Sequence, residues 1–162
     1  MKISFANTYN KNDDLIVIYA EKRRLYQTSS IEKDSKVFID NVDSSNKTKK
    51  TFLESFKFHK SNDIKNLIIA KINLADKSSD IESLSGRILN EIEKKKIKKI
   101  SIIIDFGKNN NEKISLLSSL IFGFLMKDYR FEKYKTITKK DFKVENLKFI
   151  VSISQSENKL LQ

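Results

Sequence analysis

An α/β fold of three layers, with a mixed β-sheet flanked by helices, is what three features of the sequence predict. First, Leu15-Ile16-Val17-Ile18-Tyr19 and Ile102-Ile103-Ile104 are apolar without alternation, as in strands covered on both faces. Second, segments with apolar residues at helical spacing separate these runs. Third, the chain has 162 residues, enough for one core and too short to expect two.

Taken in order, Lys2 to Phe5 and Asp14 to Ala20 read as strands joined by a polar loop, because β-branched and aromatic residues suit a packed pleated surface. From Ser29 the period changes: Ile31, Ser35, Phe38 and Val42 share one helical face, and Ser29 with Glu32 forms a capping-box pattern. After a polar loop over 44–50, Thr51 to Phe58 and Ile64 to Ile72 read as strands of a hairpin, with a turn over His59 to Asp63. Ser79 with Glu82 repeats the capping pattern ahead of Ile81, Leu84, Ile88 and Ile92. The lysines at 94–96, 98 and 99 then fall where the helix dipole is negative, so this charge run has a structural reading. Ile100 to Asp105 reads as a buried strand, Phe106 to Asn109 as a turn, and 111–127 as a helix with two apolar stripes. Leu147 to Ile153 completes the order ββαββαβαβ. Residues 1–153 are read as one domain, and 154–162 as the start of a linker.

Composition excludes several function classes. The chain has no cysteine, so thiolate nucleophiles, thiolate metal sites and disulfides are out, which fits a cytoplasmic setting. The polar start and the short apolar stretch Leu116 to Met126 argue against secretion and membrane insertion. The net charge of +11 raises the possibility of a nucleic-acid-binding module. Against it, 28 of the 32 basic residues are lysine and only Arg23, Arg24, Arg87 and Arg130 are arginine, whereas bidentate phosphate or guanine recognition favours arginine.

His59 is the one histidine, so no paired-histidine metal motif and no Ser-His-Asp triad can be assembled. The carboxylates Asp13, Asp14, Asp40, Asp43, Asp80, Glu82, Glu91 and Glu93 fall on strand starts, helix ends, caps or solvent faces. Asp105 stands at the carboxyl end of a buried strand, where α/β sheets place functional groups; its alternative role is to begin the turn at Phe106-Gly107. With three glycines and no glycine-rich loop, a phosphate cradle is disfavoured. No catalytic, cofactor-binding or metal-binding residue is assigned to the chain.

The stretch Gly123 to Thr136, containing Tyr129-Arg130-Phe131-Glu132-Lys133-Tyr134-Lys135, resembles the leucyl (cytosol) aminopeptidases, peptidase family M17. There a glycine-containing helix leads into Tyr-Arg-Phe, two residues, then Tyr-Lys-Thr. The opening Lys2-Ile3-Ser4-Phe5, the Asp14 strand, the lysine-rich loop before Thr51 and the element order are similar to that family's amino-terminal domain along the whole chain. One departure is Ile68-Ile69-Ala70-Lys71-Ile72-Asn73, which lacks the family's Gly-x-Gly-Lys turn.

The resemblance implies a macro-domain-like fold in a cytoplasmic homo-hexameric enzyme that releases amino-terminal residues such as leucine from peptides. The catalytic signature and the ligands of two divalent metal ions, zinc or manganese, belong to a carboxyl-terminal catalytic domain outside this sequence, so no catalytic residue is carried over. The chain alone is expected to be monomeric or weakly associated. A structural or regulatory aminopeptidase domain, a basic nucleic-acid-binding module and a macro-type nucleotide or ADP-ribose binder are the readings carried forward. The aromatic rings of Tyr129, Phe131 and Tyr134 are expected to anchor the crossing into the last strand rather than to bind a substrate.

Overall fold

The computed structural model describes residues 2–8, 10, 12–28, 31–60, 63–73, 75–106, 110–128 and 144–151. Six strands, β1 (Lys2–Ala6), β2 (Asp14–Tyr19), β3 (Phe52–Lys60), β4 (Asp63–Lys71), β5 (Lys99–Asp105) and β6 (Asn146–Val151), form one sheet in the order β1-β6-β5-β2-β4-β3. Each neighbouring pair is parallel except β3 with β4, which form the expected antiparallel hairpin. The sheet is therefore mixed. Four helices accompany it among the described residues: α1 (Lys22–Thr28), α2 (Lys33–Ser45), α3 (Ser78–Lys95) and α4 (Asn110–Asp128).

Period-2 alternation distributes each central strand between two cores. Ile16, Ile18, Ile68, Ala70, Ile102 and Ile104 face α3 and α4. Leu15, Val17, Tyr19, Leu67, Ile69 and Ile103 face α1 and α2. This explains the unbroken apolar runs, because a strand with a helix layer on either face has no solvent side. Phe149 is fully buried between the rings of Phe5 and Phe124, with centroids 5.8 and 6.1 Å away.

Several details differ from the sequence-based expectation. The added helix α1 rests on Leu25, which is fully buried, and Tyr26; seven residues are too few for a helical period to declare itself. Helix α2 starts at Lys33 with Glu32 as N-cap and no capping side-chain bond, so the Ser29–Glu32 box does not begin it. Its buried residues are Ser35, Ile39 and Val42, while Phe38 packs on the rings of Phe56 and Phe58. Ile31 is buried ahead of the helix. Helix α3, by contrast, starts slightly earlier than expected, at Ser78. The Asp80 carboxylate, rather than Glu82, accepts the Lys77 backbone N–H at 2.8 Å. His59 is not in a turn, since it pairs with Ile64 as β3 runs on to Lys60. Tyr129, Phe131, Tyr134 and the boundary at 153/154 lie outside the described residues.

The carboxyl end of α3 is closed by Lys96 in the left-handed region, φ 55° and ψ 44°. The Ile97 N–H reaches back to the Ile92 carbonyl at 3.1 Å, and both side chains are buried. This is the 6→1 bond of a Schellman cap, with its apolar contact. An L-residue there carries a steric cost that glycine avoids. Lys96→Gly is expected to raise stability by about 0.5–1 kcal/mol, read as a higher urea midpoint; a lower midpoint would contradict the cap assignment.

Candidate functional site at the carboxyl edge of the sheet

From β2 the chain passes through α1 and α2 toward β3 and β4, whereas from β5 it passes through α4 to β6 on the other side. Neighbouring β2 and β5 thus send their connections in opposite directions, which is where an open α/β sheet forms a ligand crevice. Asp105 ends β5 at this point, but the structure does not leave it open. It is 5% exposed and engaged within the fold, and its carbonyl accepts the Ala20 N–H at 2.9 Å across the gap.

Polar side chains gather instead one strand further along. Asp43, on the last turns of α2, accepts hydrogen bonds at Oδ1 from Lys71 Nζ (2.6 Å) and from the Tyr19 hydroxyl (3.2 Å). Lys22 of α1 lies 3.8 Å from Asp43 Oδ2 and 2.9 Å from Asp40 Oδ1. The Tyr26 hydroxyl donates to Asp40 at 3.2 Å and to the Lys36 carbonyl at 3.1 Å. Tyr19 ends β2 and Lys71 ends β4, in register with each other. The network therefore ties both helices of one layer to the carboxyl ends of two parallel strands.

Burial, followed by the nearby Asp43 charge and hydrogen bond, pushes the Tyr19 phenol above its ordinary range. Burial and then Asp40 do the same for Tyr26. For Asp43 burial opposes ionisation, but the hydrogen bond and charge of Lys71, with Tyr19 and Lys22, outweigh it and lower its pKa. These groups stay in one protonation state around neutrality. They suit electrostatic support, not proton transfer, which needs a pKa near the working pH.

Beside Lys71 opens a cleft of about 250 Å³, bounded by the start of β3, the end of β4 and the first half of α3. Phe52, Ile72 and Leu84 supply its apolar surface, and Lys71, Asp76, Asp80 and Arg87 its charges. That volume is below the roughly 300–1,000 Å³ of drug-sized pockets, which leaves little room for a nucleotide or ADP-ribose.

Several of the other carboxylates have structural work. Asp14 Oδ1 accepts the Asn66 backbone and side-chain amides at 2.6 and 3.1 Å, and Asp13 Oδ2 accepts Ser101 Oγ at 2.8 Å. Both therefore clamp the amino end of β2 to its neighbours. Glu91 accepts Ser55 Oγ at 2.8 Å, tying α3 to the edge hairpin. Glu93 is engaged within the fold, and Glu82 presents its backbone to Gly123. Among the described residues no three His, Cys, Asp or Glu side chains converge to hold a metal ion, and no helix is long and apolar enough to cross a membrane. Two metal ions of the kind the resemblance implies have no donor set among them.

Sequence reasoning did not find the Tyr19–Asp43–Lys71 cluster, whose members lie 24 and 28 residues apart along the chain. The one signal available was polar: a Tyr and a Lys each closing an apolar strand run.

No protein-family model matches the chain. Two curated relatives, each named probable cytosol aminopeptidase and from Rickettsia bellii strains OSU 85-389 and RML369-C, are 30% identical over 107 residues. A solved structure of a tomato leucine aminopeptidase mutant matches 99% of this chain with a TM-score of 0.59 and 14% identity. Together these make the chain similar to proteins named cytosol or leucine aminopeptidase, the structural match giving the fold. The matched region is 64% of this chain and 21% of each curated relative, and the structural match covers 35% of the tomato chain. The matched part of the chain thus spans about a fifth of the length of these curated relatives. These likenesses give no support to the nucleic-acid-binding alternative.

Proposed function

We propose that this chain is the non-catalytic amino-terminal domain of a leucyl aminopeptidase, serving a structural, oligomer-supporting or regulatory role. The observation that carries the reading is the match of nearly the whole chain, 99%, to about a third, 35%, of a leucine aminopeptidase. The raised phenols of Tyr19 and Tyr26 and the lowered carboxyl of Asp43, each held in one protonation state around neutrality, agree with a supporting role. In the intact protein, a carboxyl-terminal catalytic domain would hold two divalent ions, zinc or manganese, and remove amino-terminal residues such as leucine from peptides. The intact enzyme is proposed to be a cytoplasmic homo-hexamer, consistent with relatives named cytosol aminopeptidase.

The purified chain is expected to give no turnover of leucine p-nitroanilide above background, with or without added zinc or manganese. Activity that follows the chain through successive purification steps, and persists after contaminating peptidases are removed, would overturn the reading.

A further inference from the structure

The cleft beside Lys71 carries an inference independent of the aminopeptidase assignment. Asp80, Ser83, Leu84 and Arg87 follow one another at spacings of three, one and three on α3 and face the cleft together. Arg87 makes no hydrogen bond or ion pair with any described residue, although it lines a concave surface. Lys71 has its charge answered by Asp43 at 2.6 Å. Arg87 is thus the one cation of the lining with no counter-charge among the described residues.

At the other end stand two carboxylates, each only half used. Asp76 Oδ2 accepts the Asn73 N–H and Asp80 Oδ2 the Lys77 N–H, both at 2.8 Å. Neither Oδ1 has a partner among the described residues. Leu84 stands between Asp80 and Arg87 on α3, and with Phe52 and Ile72 it gives the lining three buried apolar side chains, 7%, 6% and 3% exposed. Asp80 and Arg87 are two helical turns apart, about 10 Å along the axis. Arginine side chains on a helix lean toward its amino terminus, which shortens the span between guanidinium and carboxylates.

We propose that this cleft binds a small apolar zwitterion, an α-amino acid or dipeptide with free ammonium and carboxylate groups. The ammonium is held by Asp76 and Asp80, the carboxylate by the Arg87 guanidinium, and the apolar side chain lies on Phe52, Ile72 and Leu84. An anion alone would meet the two carboxylates, and a cation alone would leave Arg87 unanswered. A ligand of both charges satisfies both ends, and the small volume limits it to one or two residues.

Calorimetric titration of the 162-residue chain with L-leucine, leucyl-leucine, L-leucinamide and N-acetyl-L-leucine tests the proposal. Leucine or leucyl-leucine is expected to bind, the tighter of them identifying the source. Leucinamide and N-acetyl-leucine should each bind about tenfold or more weakly, the worth of one charge-assisted hydrogen bond. Arg87→Gln should weaken leucine and leucyl-leucine by about tenfold and remove the preference for leucine over leucinamide. Asp80→Asn, which keeps the acceptor for the Lys77 N–H, should remove the preference over N-acetyl-leucine. Arg87 is exposed, so circular dichroism of Arg87→Gln should match the parent. Absence of saturable binding by leucine and leucyl-leucine up to about 10 mM, weaker than any useful site, would overturn the proposal. So would equal binding of the blocked derivatives, or binding untouched by Arg87→Gln.

Discussion

Gly123→Val is expected to be the most damaging single substitution on the surface shared by α3 and α4, and Gly86→Ala, one helix away, to be mildly stabilising. A Cβ placed on Gly123 would lie 2.7 Å from the Glu82 carbonyl oxygen, 2.9 Å from Glu82 Cα and 2.8 Å from Ser85 Cβ. Backbone atoms cannot rotate away as a flexible side chain can, so the helices must separate. Separation would also break the bond from Ser85 Oγ to the Leu120 carbonyl, 2.9 Å long and buried. Overpacking of this kind costs about 1–3 kcal/mol and sometimes more. Valine adds two methyl groups to the clash, so about 4 kcal/mol is expected, a large part of a typical stability of about 5–15 kcal/mol. For Gly123→Ala the gain in helix propensity, about 1 kcal/mol, offsets part of the clash and leaves a net loss of about 2 kcal/mol. At Gly86 nothing lies within 4 Å of the added Cβ. Only the propensity gain remains there, about 0.5–1 kcal/mol. Urea denaturation of the three variants decides the matter: a Gly123→Ala midpoint at or above that of Gly86→Ala would show that the two helices do not meet as closely as described.

Much of this architecture was legible because its signals are local. Leu15 to Tyr19 and Ile102 to Ile104 announce strands buried on both faces, and the two cores that flank them are the reason. Phe52, Phe56 and Phe58 on one side of an imperfectly alternating run, with Glu54 intruding, pointed to a strand, and it pairs with β4 as the expected hairpin. What stayed hidden depends on long-range pairing or on competition between near-equivalent local choices. Lys2 pairs with Asn146 and Phe5 with Phe149, a juxtaposition that no local pattern can state. The stretch Asp76 to Asp80 offers several residues able to cap a helix, and Asp80 prevails through its bond to the Lys77 N–H. Gly123 belongs to the string that carried the family resemblance, yet its physical task, letting α4 approach Glu82 and Ser85, appears only once α3 and α4 are packed together.

The carboxyl-edge network is the last feature the sequence concealed, and Asp43→Ala is expected to cost about 2–3 kcal/mol. Two groups would lose their partner together. The Tyr19 hydroxyl belongs to a residue with no exposed surface, and Lys71 Nζ would lose its 2.6 Å carboxylate. Breaking a fully buried ion pair by removing one partner costs about 3–5 kcal/mol. Asp43 and Lys71 keep 20% and 24% of their side-chain surface, so water answers part of the orphaned charge and the lower figure applies. A loss of this size should lower the melting temperature by roughly 5–10 °C in a domain of this length.

The pH dependence gives a second, independent measure. The Asp43 pKa is lowered in the folded chain, so its contribution is fully present above the unfolded carboxylate value of about 3.9 and is lost as pH falls through the folded value. Asp43→Asn keeps an acceptor for Tyr19 but removes the charge that answers Lys71. The stability gap between parent and Asp43→Asn should therefore be constant near neutrality and narrow from about pH 4 downward. Because the Tyr19 phenol is raised above its ordinary range, it stays a neutral donor throughout that window and contributes no slope of its own. Melting curves between neutrality and acid, recorded for parent, Asp43→Asn and Lys71→Met, provide the measurement. A gap that stays the same width into acid, or a Lys71→Met variant as stable as the parent, would show that the Lys71–Asp43 pair does not join β4 to α2 energetically.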